Sequence, residues 1–452
     1  MHIKKFIGTK QFYKETIMIA LPIMLQQFVT SFVNLIDNIM IGGVGSVALT
    51  SVTVTNRFYL LFNSTLFGIG GAAAIFISQY YGAKNKEKCQ KVFNLTILIS
   101  LIAAIAFTSV LVFIPTLSLK LFTNTQSIVD LGLEYINYIK YSYIPYAITF
   151  TCMMSLRSVG ITKIQIVTGS ISVLINVVLN YCLIFGNFGF PELGVAGAAI
   201  ATSIARIVEM LIWIVIIARK KYFFVWDCKS ILKVDITLLN SMSKKAIPLI
   251  INEILFSLGS TLIFKSYMRC DEYLVAAISV VDTVVNIAFI IFGGISSAVS
   301  IMIGKRLGAN QLEEARDNSL KLVAFGVIVS AAMGLILFIA ASYIPNIYNL
   351  DTDINRVIVI LLRIKSVLLP VYVVNVCVFF ILRAGGDAKS TLIMDSVFLW
   401  VVNVLVSNVL SIYFILPLIT LYVIVECLDF FKLALAMYYL KKGTWVNNIT
   451  IQ

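Results

Sequence analysis

The sequence predicts an all-α integral membrane protein, with twelve transmembrane helices in two pseudo-symmetric six-helix lobes. Three observations carry that prediction. Of the 452 residues, 60% are hydrophobic and 13% charged, and the mean hydropathy is +0.97, far outside the soluble globular range. Apolar runs of about 20 residues, enough for a helix to cross roughly 30 Å of hydrocarbon, recur twelve times. The chain also aligns with itself at an offset of 226 residues. Barrel strands are excluded because they alternate over about ten residues rather than running continuously apolar.

The first span, roughly 16–41, follows a basic opening of Lys4, Lys5, Lys10 and Lys14. It lacks a small-residue cleavage site, so it is expected to stay in the mature protein. Within it Gln26, Thr30, Asn34 and Asp37 are spaced by four, four and three, which at about 100° per residue is one helix face, and Gln27 and Asn38 widen the stripe. Lipid cannot solvate these groups. An ionisable residue in a span costs roughly 2.5–3.5 kcal/mol on insertion scales, so Asp37 needs compensation, either an exchangeable proton or cation or a structural pairing with another helix, for example through Arg57.

The second span (47–79) carries the small-residue run FGIGGAAAIF, which permits close helix approach; the third (92–117) is apolar, and the fourth (133–156) contains Pro145. On the fifth (163–186), Asn176 and Asn180 are four apart and face the same way, and Thr202 on the sixth (194–218) is placed to join them. Such neutral oxygens suit a hard cation beside a carboxylate, and they equally serve as hydrogen-bonding glue between helices. After a polar connector at 219–239, the seventh span (240–267) has Pro248 and a second stripe, Asn252, Glu253, Ser257, Ser260 and Thr261. The eighth (273–303) carries FGGISSAVS with Asp282 and Asn286, followed by the ninth (319–342) and by the tenth (355–381) with Pro370. The eleventh (390–412) holds Asp395, and the twelfth (414–439) ends in a Glu426, Asp429, Lys432 group expected to form a neutralised interfacial patch. Prolines 22, 145, 248 and 370 lie within spans, where kinks are expected.

A net charge of +13 invites a nucleic-acid reading, but Lys and Arg are concentrated in every second loop. That is membrane sidedness, which places both termini in the cytoplasm and excludes a nucleic-acid partner. The seven cysteines are scattered without a C-x-x-C pair and read as small core residues; the single histidine, His2, leaves no metal or acid–base cluster. No metal or organic cofactor is expected. There is no G-x-x-x-x-G-K-[ST] loop, so an ion gradient of Na+ or H+, rather than ATP, is the expected power source for any transport.

The repeat is clearest in two loops, Leu156-Arg157-x-x-Gly160-x-x-Lys163 and Leu382-Arg383-x-x-Gly386-x-x-Lys389. Ala20 and Pro22 recur as Ala246 and Pro248, and Gly82-Ala83 as Gly308-Ala309. The offset spans six helices, an even number, so equivalent helices run in parallel and the pseudo-two-fold axis is normal to the membrane. The expected organisation is an N-terminal lobe at 1–218, a cytoplasmic connector at 219–239 and a C-terminal lobe at 240–452. In this frame Asn252 and Glu253 fall on Gln26 and Gln27, so only the second half is acidic at that level.

Asp37-x-x-Met40-Ile41-Gly42, FGIGGAAAIFISQYYGAKNK, AIPLIINEILFSLG, LNYCLIFGNFGFPELGVAGAAIATSIAR, SAVSIMIGKRLGANQLEEA, LRAGGDAKSTLIMD and the closing WVNNIT together resemble the multidrug and toxic compound extrusion (MATE) family over nearly the full chain. The resemblance implies an antiporter, not an enzyme, that expels small amphipathic, often cationic compounds in exchange for Na+ or H+ by alternating access. It implies a role in ion coupling for Asp37, Asn176 and Thr202, to which the residue reading adds Asn180, with Asp37 and Asn180 as the candidate Na+ ligands. Glu253, with Asp282 and Asn286, becomes a second-lobe ion or substrate group; Gln26, Gln27, Thr30, Asn34 and Ser257 become the polar face of the substrate cleft. Two departures stand out: Asn180 replaces an Asp of one branch, and Asn375 is the nearest polar group where another branch has a tenth-helix Asp. A multi-pass monomer in a bacterial plasma membrane is the expected setting. A related flippase of lipid-linked saccharides, using Arg57, Arg157 and Arg206, is the alternative, and a membrane-embedded transferase a more distant one.

Overall fold

The computed structural model describes residues 6–219, 224, 231, 233–271, 273–347, 351–414 and 416–451, which are helical with no strand among them. The spans are α1 (Lys10–Gly42), α2 (Ser46–Gly82), α3 (Lys86–Phe113), α4 (126–158), α5 (Lys163–Phe185) and α6 (Gly194–Arg219), then α7 (Ile236–Cys270), α8 (Val275–Gly308), α9 (Leu312–Ala340), α10 (Thr352–Ala384), α11 (Ala388–Phe414) and α12 (418–442). Ten are long, apolar single helices. The other two are jointed: α4 consists of Gln126–Ile139 and Tyr143–Ser158 across a 3-10 turn at Lys140–Ser142, and α12 of Leu418–Cys427 and Asp429–Lys442. Most of the 219–239 connector, including Lys220, Lys221, Asp227 and Lys229, lies outside the described residues, as does Cys228.

Most helices run a few residues past the spans expected from the sequence, but two span ends fall four residues short, and proline explains both. α3 stops at Phe113 rather than 117, because Pro115 disfavours the helical region for Ile114, which sits at φ −136° before a short helix, Pro115–Lys120. α12 begins at Leu418 rather than 414 because Pro417 (ψ 143°) holds the chain extended just before the first turn.

The repeat has a physical basis in its turns. Gly160 and Gly386 both terminate helices with positive φ, +82° and +76°, where a side chain would be strained. The residues after Gly82-Ala83 and Gly308-Ala309, Lys84 and Asn310, share a left-handed φ of 59°. Two of the four helix starts that follow are capped by side chains: Asn85 accepts the Lys88 amide at 3.0 Å, and Asp387 accepts that of Ser390 at 3.1 Å.

The chain divides into two compact units, Leu25–Ile250 and Met1–Met24 with Ile251–Gln452. In the first, Phe62 stacks on Tyr143 at 4.7 Å and Phe58, Leu66, Ile136 and Phe150 complete a buried core. In the second, α8 and α10 supply Phe292, Val299, Leu361 and Val378 to a larger core, with Phe289 stacked on Tyr372 at 4.7 Å. Among the close approaches that only glycine allows, one occurs at the same place in both units: a Cβ on Gly68 would lie 2.5 Å from Ile250, and one on Gly294 2.4 Å from Met24. Both glycines and both neighbours are pairs at the 226-residue offset. α11 departs from regular geometry, with wider i→i+5 turns at Ile393–Val397, Leu399–Val404 and Leu410–Phe414.

Candidate functional site

α1 is built inside out. Phe28, Phe32, Leu35 and Ile39 lie on one exposed apolar face at helical spacing, as a lipid-facing stripe requires. The other face carries Gln26, Thr30, Asn34, Asp37 and Asn38 into a cavity of about 510 Å³ within the Leu25–Ile250 unit. Gln26 Nε2 donates to the Thr30 hydroxyl at 3.2 Å, which holds the upper part of the stripe in register. Gln27 is not among the residues that line this cavity.

The cavity collects Asp37, Asn176, Asn180 and Thr202 from α1, α5 and α6. Asn180 Nδ2 donates to Asp37 Oδ1 at 2.6 Å, across 143 residues of sequence. A carbonyl oxygen cannot face a carboxylate, so the Asn176 amide is oriented with Nδ2 donating to Asp37 Oδ1 at 2.9 Å and Oδ2 at 3.2 Å. Its own oxygen then accepts the Thr202 hydroxyl at 3.2 Å. Asn180 Oδ1 is left buried without a hydrogen-bond partner. Such an orphaned oxygen is costly, about 1–3 kcal/mol, unless something occupies it. The Asp37 carboxylate, Asn180 Oδ1 and the Thr202 hydroxyl are hard oxygen donors of the kind Na+ takes, on residues that line one cavity. No group of three or more His, Cys, Asp or Glu able to hold a metal occurs among the described residues. The pairing of Asp37 with Arg57 is not formed: Arg57 lines the same cavity, and neither takes part in an ion pair among the described residues.

Farther along α6 the sequence reading named Thr202 for the ion site and Arg206 for the flippase alternative, but neither Glu209 nor its pairing with Arg206. On α6, Thr202, Arg206 and Glu209 follow one face at intervals of four and three, and all three line the cavity. Arg206 Nη1 lies 3.1 Å from Glu209 Oε2, and the guanidinium sits 4.6 Å over the Tyr146 ring. The Tyr146 hydroxyl in turn donates to Asn63 Oδ1 at 2.7 Å. Tyr59, Tyr135, Tyr143 and Phe150 add an aromatic lining. An Arg and a Glu three apart in an apolar run was the available signal.

The second unit arranges its charges differently. Glu253 pairs with Arg383 at 3.1 Å, and Arg383 is 3% exposed. Arg383 belongs to the repeated loop motif, so the acid peculiar to the second half meets an arginine the halves share. Lys365 pairs with Glu426 at 2.6 Å, and Lys432 with Asp395 at 2.7 Å. Glu426 and Lys432 are thus neutralised by α10 and α11 rather than by one another. Asn252 Nδ2 also donates to Asp395 Oδ2 at 3.1 Å. Asn375 donates to the Asp429 carbonyl at 3.2 Å, while its Oδ1 is buried without a partner. Asp282 and Asn286 are exposed on α8, and Ser257 is half-buried, its carbonyl accepting the Thr261 hydroxyl. Cys89, Cys152, Cys182 and Cys377 are buried free thiols, whereas Cys427 is exposed.

The chain is 26% identical to a probable multidrug resistance protein, YoeA, of Bacillus subtilis, over 87% of this chain and 85% of that one. It is 22% identical to a probable multidrug resistance protein NorM of Thermotoga maritima, over 96% and 93% of the two chains. Its fold matches a solved structure described as the outward-facing conformation of a multidrug resistance MATE family transporter, with a TM-score of 0.86, 17% identity and 95% of each chain covered. The family model MatE matches residues 22–182 and again 248–409. These two copies cover more than half of the sequence and start one repeat length apart, and the chain belongs to the MatE family.

Proposed function

We propose that this protein is a secondary active multidrug efflux antiporter, exporting small amphipathic compounds in exchange for Na+ or H+, with Asp37 as the coupling carboxylate. Its family membership sets it among multi-pass membrane transporters rather than enzymes. One observation carries the assignment of the ion site: a half-buried carboxylate held by Asn176 and Asn180 beside an orphaned Asn180 oxygen. Two amide donors stabilise the ionised acid but supply no countercharge, so a proton or a sodium ion is the natural complement. The same cavity is large and aromatic enough to admit an organic molecule, and a charged substrate there competes electrostatically with the coupling ion. Release of one when the other binds is the elementary step of exchange.

The protein acts as a monomer in the plasma membrane with both termini cytoplasmic, following its alternating basic loops. A flippase of lipid-linked saccharides calls for a strongly cationic cleft; here Asp37 and Glu209 balance Arg57 and Arg206. The test is efflux of a preloaded cationic dye from cells expressing the chain. Expression is expected to accelerate efflux in a manner abolished by dissipating the ion gradients, and Asp37→Asn is expected to remove the effect at equal protein level. Gradient-independent efflux would overturn the reading.

A further inference from the structure

From the Asp37 cluster towards the start of α5, one face of that helix stays polar and buried. Gln165, Thr168, Ser172, Asn176 and Asn180 follow one another at steps of three and four, and each is at most 6% exposed. This face meets α6, which runs antiparallel: the Thr202 hydroxyl bonds to Asn176 at 3.2 Å, and Ser172 Oγ donates to the Ala205 carbonyl at 3.3 Å. Each step down α5 is therefore matched by a similar step along α6. That sets Thr168 level with Glu209, and Gln165 level with Trp213.

The cavity that holds Asp37 reaches as far as Gly169 and Glu209. α5 begins at Lys163, so only about 9 Å of helix separates the cavity floor from that end of the first unit. The intervening plug is poorly composed for a dry seal. Both amide atoms of Gln165 and Nε1 of Trp213 are buried with no hydrogen-bond partner among the described residues, and the two residues are 2% and 1% exposed. Unbonded buried polar atoms are costly, and proteins satisfy them with ordered water. A leucine at 165 would seal the plug without that cost. Glu209, paired with Arg206 at 3.1 Å, supplies an acceptor on the cavity side, and Lys163 is exposed at the other end.

We propose that this plug holds a short file of water, bridged by Gln165 and Trp213, that carries protons between the Asp37 cavity and the Lys163 end of the first unit. A proton taken up by Asp37 leaves its carboxyl oxygen for a cavity water. It moves along the file as each water gains one O–H bond and gives up another, so one proton emerges at the far end for each that enters, and Asp37 is again a carboxylate. The basic loop at Lys163 makes that end the cytoplasmic one. This inference rests on Asp37 being the coupling carboxylate of the proposed antiporter, and it names H+ as the ion released by this route.

Trp213 reports directly on the water. With isotope-labelled indole nitrogens in the full-length protein, Trp445 is the matched control: it is also 1% exposed, but its Nε1 donates to the Leu440 carbonyl at 3.2 Å. The Trp213 signal, assigned by its loss in Trp213→Phe, is expected to exchange with heavy water about tenfold faster than that of Trp445. Gln165→Leu is expected to dry the plug. It should slow Trp213 exchange about tenfold and slow dye release driven by a proton gradient in proteoliposomes several-fold, with dye affinity unchanged. Gln165→Ser, which leaves room and a hydroxyl for water, is expected to keep both rates near those of the wild type. The wild-type exchange rates decide the matter if Gln165→Leu does not fold. Trp213 exchange no faster than that of Trp445, unchanged rates in Gln165→Leu, or an equal loss in Gln165→Ser would each overturn the route and leave the coupling role of Asp37 intact, as would wild-type release under a sodium gradient but not a proton gradient. No wild-type release under either gradient would overturn that role and the route together.

Discussion

At the scale of single residues, one acid is set apart from the rest by its partners. Three half-buried acids of the second unit, Glu253, Glu426 and Asp395, each meet a cation at 2.6–3.1 Å, whereas among the described residues the half-buried Asp37 is hydrogen-bonded by amides. Asn180→Asp puts a second carboxylate within hydrogen-bond distance of the first. Like charges that close cannot both ionise, so one proton is retained to higher pH. The sodium dependence of dye release is expected to weaken at pH 6 relative to pH 8 in this variant more than in the wild type; sodium titrations at the two pH values check it. Glu253→Gln leaves the nearly buried Arg383 without its carboxylate, a loss on the order of 3–5 kcal/mol. A marked drop in melting temperature in detergent, larger than that of Asp37→Asn, is the expected outcome. The sequence made the members of these groups legible but not their pairings, because Asp37 and Asn180 meet across 143 residues and helix spacing fixes a face without saying which helix it will meet.

Among the helices and loops, apolar run length was enough to place the twelve spans, and proline set the two ends that fell four residues short. The joints of α4 and α12 and the wide turns of α11 were not legible, since they depend on packing rather than on local propensity. The closing WVNNIT segment shows how a loop is fitted to its neighbour. Trp445 is 1% exposed, the Thr444 hydroxyl donates to Asp387 at 2.6 Å, and a Cβ on Gly385 would lie 1.8 Å from the Trp445 carbonyl oxygen. The equivalent loop in the first half has Val159 there, and Gly385 itself has an ordinary φ of −78°. Gly385→Ala is therefore expected to displace the tail without straining the loop, read as faster proteolytic clipping beyond Lys442, while Val159→Ala leaves the clipping rate unchanged.

For the whole molecule, the repeat explains why two halves with similar turns and glycine contacts carry different chemistry. At the level where α1 has Gln26 and Gln27, α7 has Asn252 and Glu253, and among the described residues Asp37 itself takes part in no ion pair like those of the second unit. The alternating basic loops predict that single cysteines placed at Lys14 and Lys442 react with an impermeant thiol reagent only from the cytoplasmic side, in a background lacking the native exposed Cys427. The central claim, that occupancy of Asp37 couples an ion gradient to export, is tested most directly in proteoliposomes with sodium and proton gradients imposed one at a time on wild type and Asp37→Asn. One gradient should drive dye release from the wild type and neither from the variant; gradient-driven release by Asp37→Asn at the wild-type rate would contradict the account.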